Sequence, residues 1–228
     1  MALINTLNDI GNAIREKTGG TELIPLKEMA GAIKNIVSGQ NLFEYATQPT
    51  NVYTSSPFPD GSEFEINLPI VTNITGLFWA TKGLKKITVK GNDAGNLVMI
   101  DYAFRELPSV ETVDLSGFNC KVKRANQVFY LSRKLKNILG VLDFSEAAAY
   151  NNPFLYCEAL EEVRFKTNSI KFSISFVHSS KLSAESVQSI IAALSIVETA
   201  QTLTLHSSIV LTDEQKAQIS SKNWTLVQ

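Results

Sequence analysis

A phenylalanine recurs through the middle of this 228-residue chain with the same company each time. Phe78, Phe104, Phe129 and Phe154 are followed six residues later by Leu84, Val110, Leu135 and Leu160, and Phe176 by Leu182. The phenylalanines lie 26, 25, 25 and 22 residues apart. Short alternating runs come next: Ile87-Thr-Val89, Val113-Asp-Leu115 and Val163-Arg-Phe165. The third copy, Ile138-Leu-Gly-Val-Leu142, breaks the alternation as if it carried a small insertion. Apolar residues two apart describe a strand with one buried face. The phenylalanine upstream cannot share that face and belongs on an opposite wall. A single copy cannot bury its own apolar side, whereas a stack of copies can. The expected body is therefore a solenoid over residues 64–182, with one short strand in each roughly 25-residue repeat. Phe64, Ile66 and Leu68 would form a first, incomplete copy.

A stack needs covered ends. Ser183 reads as an N-cap with Glu185 in the first turn, and Val187, Ile190, Ile191, Leu194 and Val197 follow at helical spacing. Thr202–Leu205 reads as a strand, Thr212 with Gln215 as a capping box ahead of a weaker helix with Ala217 and Ile219 inward, and Trp224–Val227 as a strand. Residues 183–228 are thus expected to form an α/β cap. At the other end, Ile4, Leu7, Ile10 and Ile14 make one helical stripe that stops at Gly19-Gly20. Leu26, Met29, Ala30, Ile33 and Ile36 make a second, opened by Pro25 and closed by Gly39. Residues 1–39 read as a two-helix module for attachment or oligomerisation, and 40–63 as a turn-rich linker. The expected fold class is α/β.

These segments carry family resemblances. Val71-Thr-Asn-Ile-Thr-Gly-Leu-Phe78 through Val89, and Tyr102-Ala-Phe104 through Leu115, resemble the leucine-rich repeat of BspA-like bacterial surface proteins. Cys157 matches the cysteine frequent three residues after the phenylalanine in that family, where the other copies have Thr81, Leu107, Ser132 and Ser179. The stretch Asn12-Ala-Ile-Arg-Glu-Lys-Thr-Gly-Gly-Thr through Met29-Ala-Gly-Ala-Ile33 is similar to a helical module of tail and baseplate-associated proteins of phages and prophages of Gram-positive bacteria. Together the resemblances imply a leucine-rich-repeat-like solenoid in a phage tail-associated binding protein, made in the bacterial cytoplasm and carried on the virion. The implied partners are a host cell-wall polysaccharide or surface protein, other tail or baseplate proteins through the N-terminal helices, and a sister chain in a homo-oligomer. The alternative is a BspA-like adhesin or interaction module at the bacterial cell surface, its export signal removed.

The chemistry of the chain points the same way. Twenty-one basic and 22 acidic residues give a net charge of -1, unlike a globally basic nucleic-acid binder. No signal peptide or membrane-spanning run is read, and two cysteines, Cys120 and Cys157, are too few for a disulfide framework, so both are expected free and at least half-buried. His178 and His206 have no neighbours at metal-ligand spacing, and no nucleophile elbow, zinc-protease or phosphate-loop motif occurs. The expectation is a non-enzymatic protein with no cofactor and no metal. Basic residues concentrate in 82–136, which holds 11 of them against 5 acidic. Equivalent positions stack in a repeat array, placing Lys85, Lys86, Lys134 and Lys136 as a strip for an anionic wall polymer. Trp79, Tyr130 and Tyr156, one or two residues beyond a repeat phenylalanine, supply stacking surfaces for sugars.

Overall fold

The computed structural model describes residues 58–68, 72–91, 97–148 and 150–228. The expected N-terminal helices of 1–39, and residues 40–57 of the expected linker of 40–63, lie outside the described residues. The strands are β1 (Ser62–Asn67), β2 (Leu84–Lys90), β3 (Leu97–Met99), β4 (Thr112–Gly117), β5 (Lys121–Arg124), β6 (Asn137–Leu139), β7 (Ile174–Phe176), β8 (Gln201–Leu205) and β9 (Trp224–Val227). Two helices, α1 (Ala184–Ala193) and α2 (Asp213–Ser221), complete the described elements.

This architecture corrects the expected fold class. A leucine-rich-repeat-like solenoid with one strand per repeat would show one continuous ladder. Instead the short strands are scattered over three parallel sheets, ordered β1-β2-β4-β6, β3-β5 and β7-β8-β9. No N-terminal helical hairpin is seen among the described residues. The physical reasons are local. β6 stops after three residues because Gly140, at φ +96°, turns the chain away. The next copy, Val163-Arg-Phe165, makes no strand: it is tied by isolated bridges from Glu162 to Asn137 and from Phe165 to Leu142. Its Val163 and Phe165 N–H groups donate to the hydroxyls of Ser186 and Ser189 of α1, both at 3.0 Å, in place of a neighbouring strand. Phe176 lies inside β7, unlike its counterparts, which sit in turns.

What joins successive copies is mostly a ladder of turns. Around each phenylalanine, every second N–H donates to the following copy. Gly76, Phe78 and Ala80 donate to the carbonyls of Asp101, Ala103 and Arg105 at 2.8, 2.8 and 2.9 Å. Tyr102, Phe104 and Glu106 donate to Asn126, Val128 and Tyr130, and Gln127, Phe129 and Leu131 donate to Asn151, Pro153 and Leu155. The intervening Leu77, Trp79 and Thr81 donate three residues back, to Ile74, Gly76 and Phe78. No strand geometry is needed to satisfy this backbone. The arrangement requires left-handed residues on both sides of the ring. Gly76, Tyr102, Gln127 and Asn152 precede it by two, and Ala80, Glu106, Leu131 and Tyr156 follow it by two, all at positive φ. Each non-glycine residue held there costs about 1–2 kcal/mol.

The turns aim their phenylalanines inward. Phe78, Phe104, Phe129, Phe154 and Phe176 are fully buried. Successive ring centroids lie 5.6, 5.4, 5.6 and 4.7 Å apart, with planes 11°, 10°, 17° and 21° from parallel. Phe64 of β1 meets the column edge-on at 5.9 Å from Phe78. Facing them, Ile87, Val113, Ile138 and Val163 form a buried aliphatic row, the first three in register across β2, β4 and β6. In three of the five copies the position three beyond the ring takes a small hydrogen-bonding side chain. Ser132 Oγ donates to the Phe104 carbonyl at 2.8 Å, Cys157 Sγ to that of Phe129 at 3.1 Å, and Ser179 Oγ to that of Cys157 at 3.0 Å. Leu107 has no such group and the buried Thr81 Oγ1 has no hydrogen-bond partner among the described residues, so only the serines keep the cysteine's role.

The C-terminal segment is built from its caps. Ser183 Oγ accepts from the Ser186 N–H at the start of α1, which buries Val187, Ile190 and Ile191. A reciprocal Thr212–Gln215 capping box opens α2, which buries Ile219 and leaves Ala217 exposed. Lys222 Nζ donates to the Ile191, Ala192 and Leu194 carbonyls at 3.1, 3.2 and 2.7 Å, satisfying the end of α1.

Replacing Phe104 with alanine should destabilise the protein by about 3–5 kcal/mol, since both stacked neighbours lose a partner; denaturant unfolding measures it. A Cβ on Gly140 would meet the Leu115 carbonyl carbon and oxygen at 2.7 Å, whereas one on Gly76 meets nothing within 4 Å. Both glycines are left-handed. Gly76→Ala should therefore cost only the conformational penalty of about 1–2 kcal/mol, and Gly140→Ala clearly more in the same assay.

Candidate functional site

The residue directly after each column phenylalanine leaves the core. Trp79, Arg105 and Tyr130 occupy this place in three consecutive copies. Trp79 is 37% exposed, and Arg105 and Tyr130 are half-buried. The Arg105 guanidinium sits between the two rings, 5.0 Å from the Trp79 centroid and 4.8 Å from that of Tyr130. It also lies 5.7 Å from the Tyr102 ring, which is itself 6.0 Å from Trp79. The row continues at Tyr156, 5.8 Å from Tyr130 and 5.1 Å from the Arg133 guanidinium, and at His178, 4.2 Å from Tyr156. Each guanidinium–ring contact at such a site contributes about 0.5–1 kcal/mol.

The cations of this row are themselves held. Arg105 Nε donates to Glu106 Oε1 at 2.8 Å, Nη2 lies 2.7 Å from the same oxygen, and Nη1 bonds Gln127 Oε1. Arg133 pairs with Glu158. The row is a strip of rings braced by two compensated arginines, half-buried at Tyr102, Tyr130, Tyr156 and His178 and more exposed at Trp79.

The lysines behave differently from a uniform basic strip. The Glu111 N–H donates to the Lys85 carbonyl, the Lys136 N–H to Glu111, and the Glu161 N–H to Lys136, each at 2.8 Å. Equivalent positions thus read lysine, glutamate, lysine, glutamate along the stack. Lys136 Nζ bonds Glu111 Oε2 at 2.8 Å, and this contact, with the charges of Lys136, Lys85 and Lys134, holds the Glu111 carboxyl below its usual range. Lys86 faces Asp114 together with Lys90. The structure therefore gathers Lys85, Lys134 and Lys136, but around a carboxylate, with Lys86 beside a second one.

Of the residues anticipated from the sequence, Trp79, Tyr130 and Tyr156 fall in one row. Tyr102, Arg105, Arg133 and His178 belong to it too and were missed as site residues. A signal existed: aligning the position after each phenylalanine reads Trp79, Arg105, Tyr130. It is hidden because an arginine interrupts the aromatic identity. Tyr156 enters one position later and Tyr102 two before the ring, which only the left-handed turns bring into line.

Both cysteines are free and buried, and burial pushes the Cys120 thiol up to about 12 and the Cys157 thiol up as well. Neither is a nucleophile in this state. Among the described residues, no three histidine, cysteine, aspartate or glutamate side chains are grouped to hold a metal ion, and no helix is long and apolar enough to cross a membrane.

Within residues 58–182, three carboxyls tie stability to pH. Besides Glu111, Asp114 is raised by burial but more than offset by hydrogen bonds from Ser116 and by Lys86 and Lys90. Asp143 is likewise raised by burial and brought down by Lys166 and Ser145. All three are lower in the folded state than their ordinary values of 4.5 and 3.8. Their contribution is present above those values and is lost as pH falls through the lower folded ones. The melting temperature should be flat from neutral pH to about 5 and fall below about 4, and Asp143→Asn should shallow that fall.

No protein-family model matches this chain, and neither a curated protein nor a solved structure matches it significantly.

Proposed function

We propose that this chain is a non-enzymatic, phage or prophage tail-associated binding protein whose repeat surface recognises a polysaccharide of the host cell wall. The observation that carries the reading is the partly exposed row of Trp79, Tyr102, Tyr130, Tyr156 and His178, backed by a buried phenylalanine column whose rings from Phe78 to Phe154 lie 5.4–5.6 Å apart. Rings fixed on a rigid backing present apolar faces and polar edges at little entropic cost, which suits recognition of sugars. The likeness of residues 12–36 to tail and baseplate modules supports attachment to a particle through that segment. The mixed charge of the lysine rows favours the aromatic row over an anion-binding strip as the contact surface.

Fluorescently labelled full-length protein should decorate isolated cell walls of a susceptible Gram-positive host. Replacing Trp79, Tyr130 and Tyr156 together with alanine should reduce that binding at least about tenfold, equivalent to roughly one ring contact. Circular dichroism confirms that the variant stays folded. Undiminished binding would remove the row from the interaction.

A further inference from the structure

Three properties of the aromatic row narrow its ligand, on the reading that it is the contact surface. The first is charge. Arg105 is neutralised by Glu106 and Arg133 by Glu158, so among the described residues the row has no surplus of either sign to offer a polymer. A polyanion would have to displace two carboxylates from their guanidinium partners, without the surplus positive charge that drives polyanion binding.

The second is unspent hydrogen-bonding capacity. Among the described residues, the hydroxyls of Tyr102, Tyr130 and Tyr156 bond no other residue. Each is at once donor and acceptor. Glu106 and Gln127, bonded to Arg105, and Glu158, paired with Arg133, keep further acceptor positions, since a carboxylate accepts about four bonds. Hydroxyls, carboxylates and an amide next to ring faces match a ligand rich in hydroxyl groups and apolar C–H faces.

The third is period. The phenylalanines behind the row advance by 5.4–5.6 Å per copy from Phe78 to Phe154, with planes within 17° of parallel. The surface rings follow at 6.0 Å (Trp79–Tyr102), 5.8 Å (Tyr130–Tyr156) and 4.2 Å (Tyr156–His178), with Arg105 bridging Tyr102 to Tyr130. The copies therefore advance by a step comparable to one pyranose unit of an extended chain, with a surface ring in each.

From these we infer that the row binds a linear, uncharged glycan laid along the stack, one sugar unit per copy, and not an anionic wall polymer. The test is affinity electrophoresis of the full-length protein through gels holding, in turn, hydroxyethyl cellulose, mannan, glycerol teichoic acid and polyuridylate, with N-acetylchitooligosaccharides of two to six units as soluble competitors. Retardation by an uncharged probe is expected, changing less than about twofold between low and high salt. Competition should strengthen up to about five units, the number of rings in the row. Tyr130→Ala with Tyr156→Ala should abolish retardation, Tyr130→Phe should weaken it through the lost hydroxyl alone, and Lys85→Gln with Lys134→Gln should leave it unchanged. Retardation by teichoic acid alone, relieved by salt and by the lysine changes, would overturn the uncharged-glycan inference while keeping wall recognition. Retardation by polyuridylate alone, or by no probe, would overturn both.

Discussion

The stacked phenylalanine rings and the turns that carry them are one interaction. Phe104 can lie 5.6 and 5.4 Å from its two neighbours only if the backbone around it hydrogen-bonds copy to copy at a fixed step. Turns with a left-handed residue two before and two after each of Phe78, Phe104, Phe129 and Phe154 provide this. Every second N–H goes forward to the next copy, and the others close back on the same turn. The strain of residues such as Tyr102, Glu106 and Leu131 at positive φ is offset by a fully bonded backbone and fully buried rings. Without that ladder the short strands β4 and β6, only six and three residues long, have too little pairing to order the body.

The same geometry organises the surface. Because the phenylalanine points in, the next residue points out, and a column inside implies a row outside. Trp79, Arg105 and Tyr130 are that row. Their spacing is inherited from the core, not set by their own contacts, so the surface is presented already ordered. Charges follow suit: equivalent positions are neighbours, and like charges there repel. The Lys85, Glu111, Lys136, Glu161 series and the Arg105–Glu106 and Arg133–Glu158 pairs avoid that repulsion by alternation.

Much of the core was legible from residue spacing. Phe78, Phe104, Phe129 and Phe154 announce a column because each is followed at the same distance by an apolar residue and a short alternating run, which only stacked copies bury together. Ser183 and the Thr212–Gln215 pair open α1 and α2, since capping is a local matter of side chain and backbone N–H. The strand layout was not legible. Val163-Arg-Phe165 has the alternation of a strand, yet α1 places Ser186 and Ser189 on its N–H groups. β3 and β5 carry one buried valine each, Val98 and Val122, too little periodicity to mark a strand. Phe176 keeps its stacking place while moving from a turn into β7, because ring burial constrains the side chain more tightly than the backbone.

Residue order by itself determined which side chains are buried together, because apolar periodicity is a local property that any compact arrangement of this chain must honour. It determined the two helix starts for the same reason. Only the tertiary structure decided how the backbone between those side chains is satisfied, and hence that the copies are joined by left-handed turns and three separate sheets. It alone placed Arg105 between Trp79 and Tyr130 and set Glu111 among the lysines. Those contacts join residues some 25 apart, and their geometry depends on the rise and turn of each copy, which no single stretch of sequence encodes.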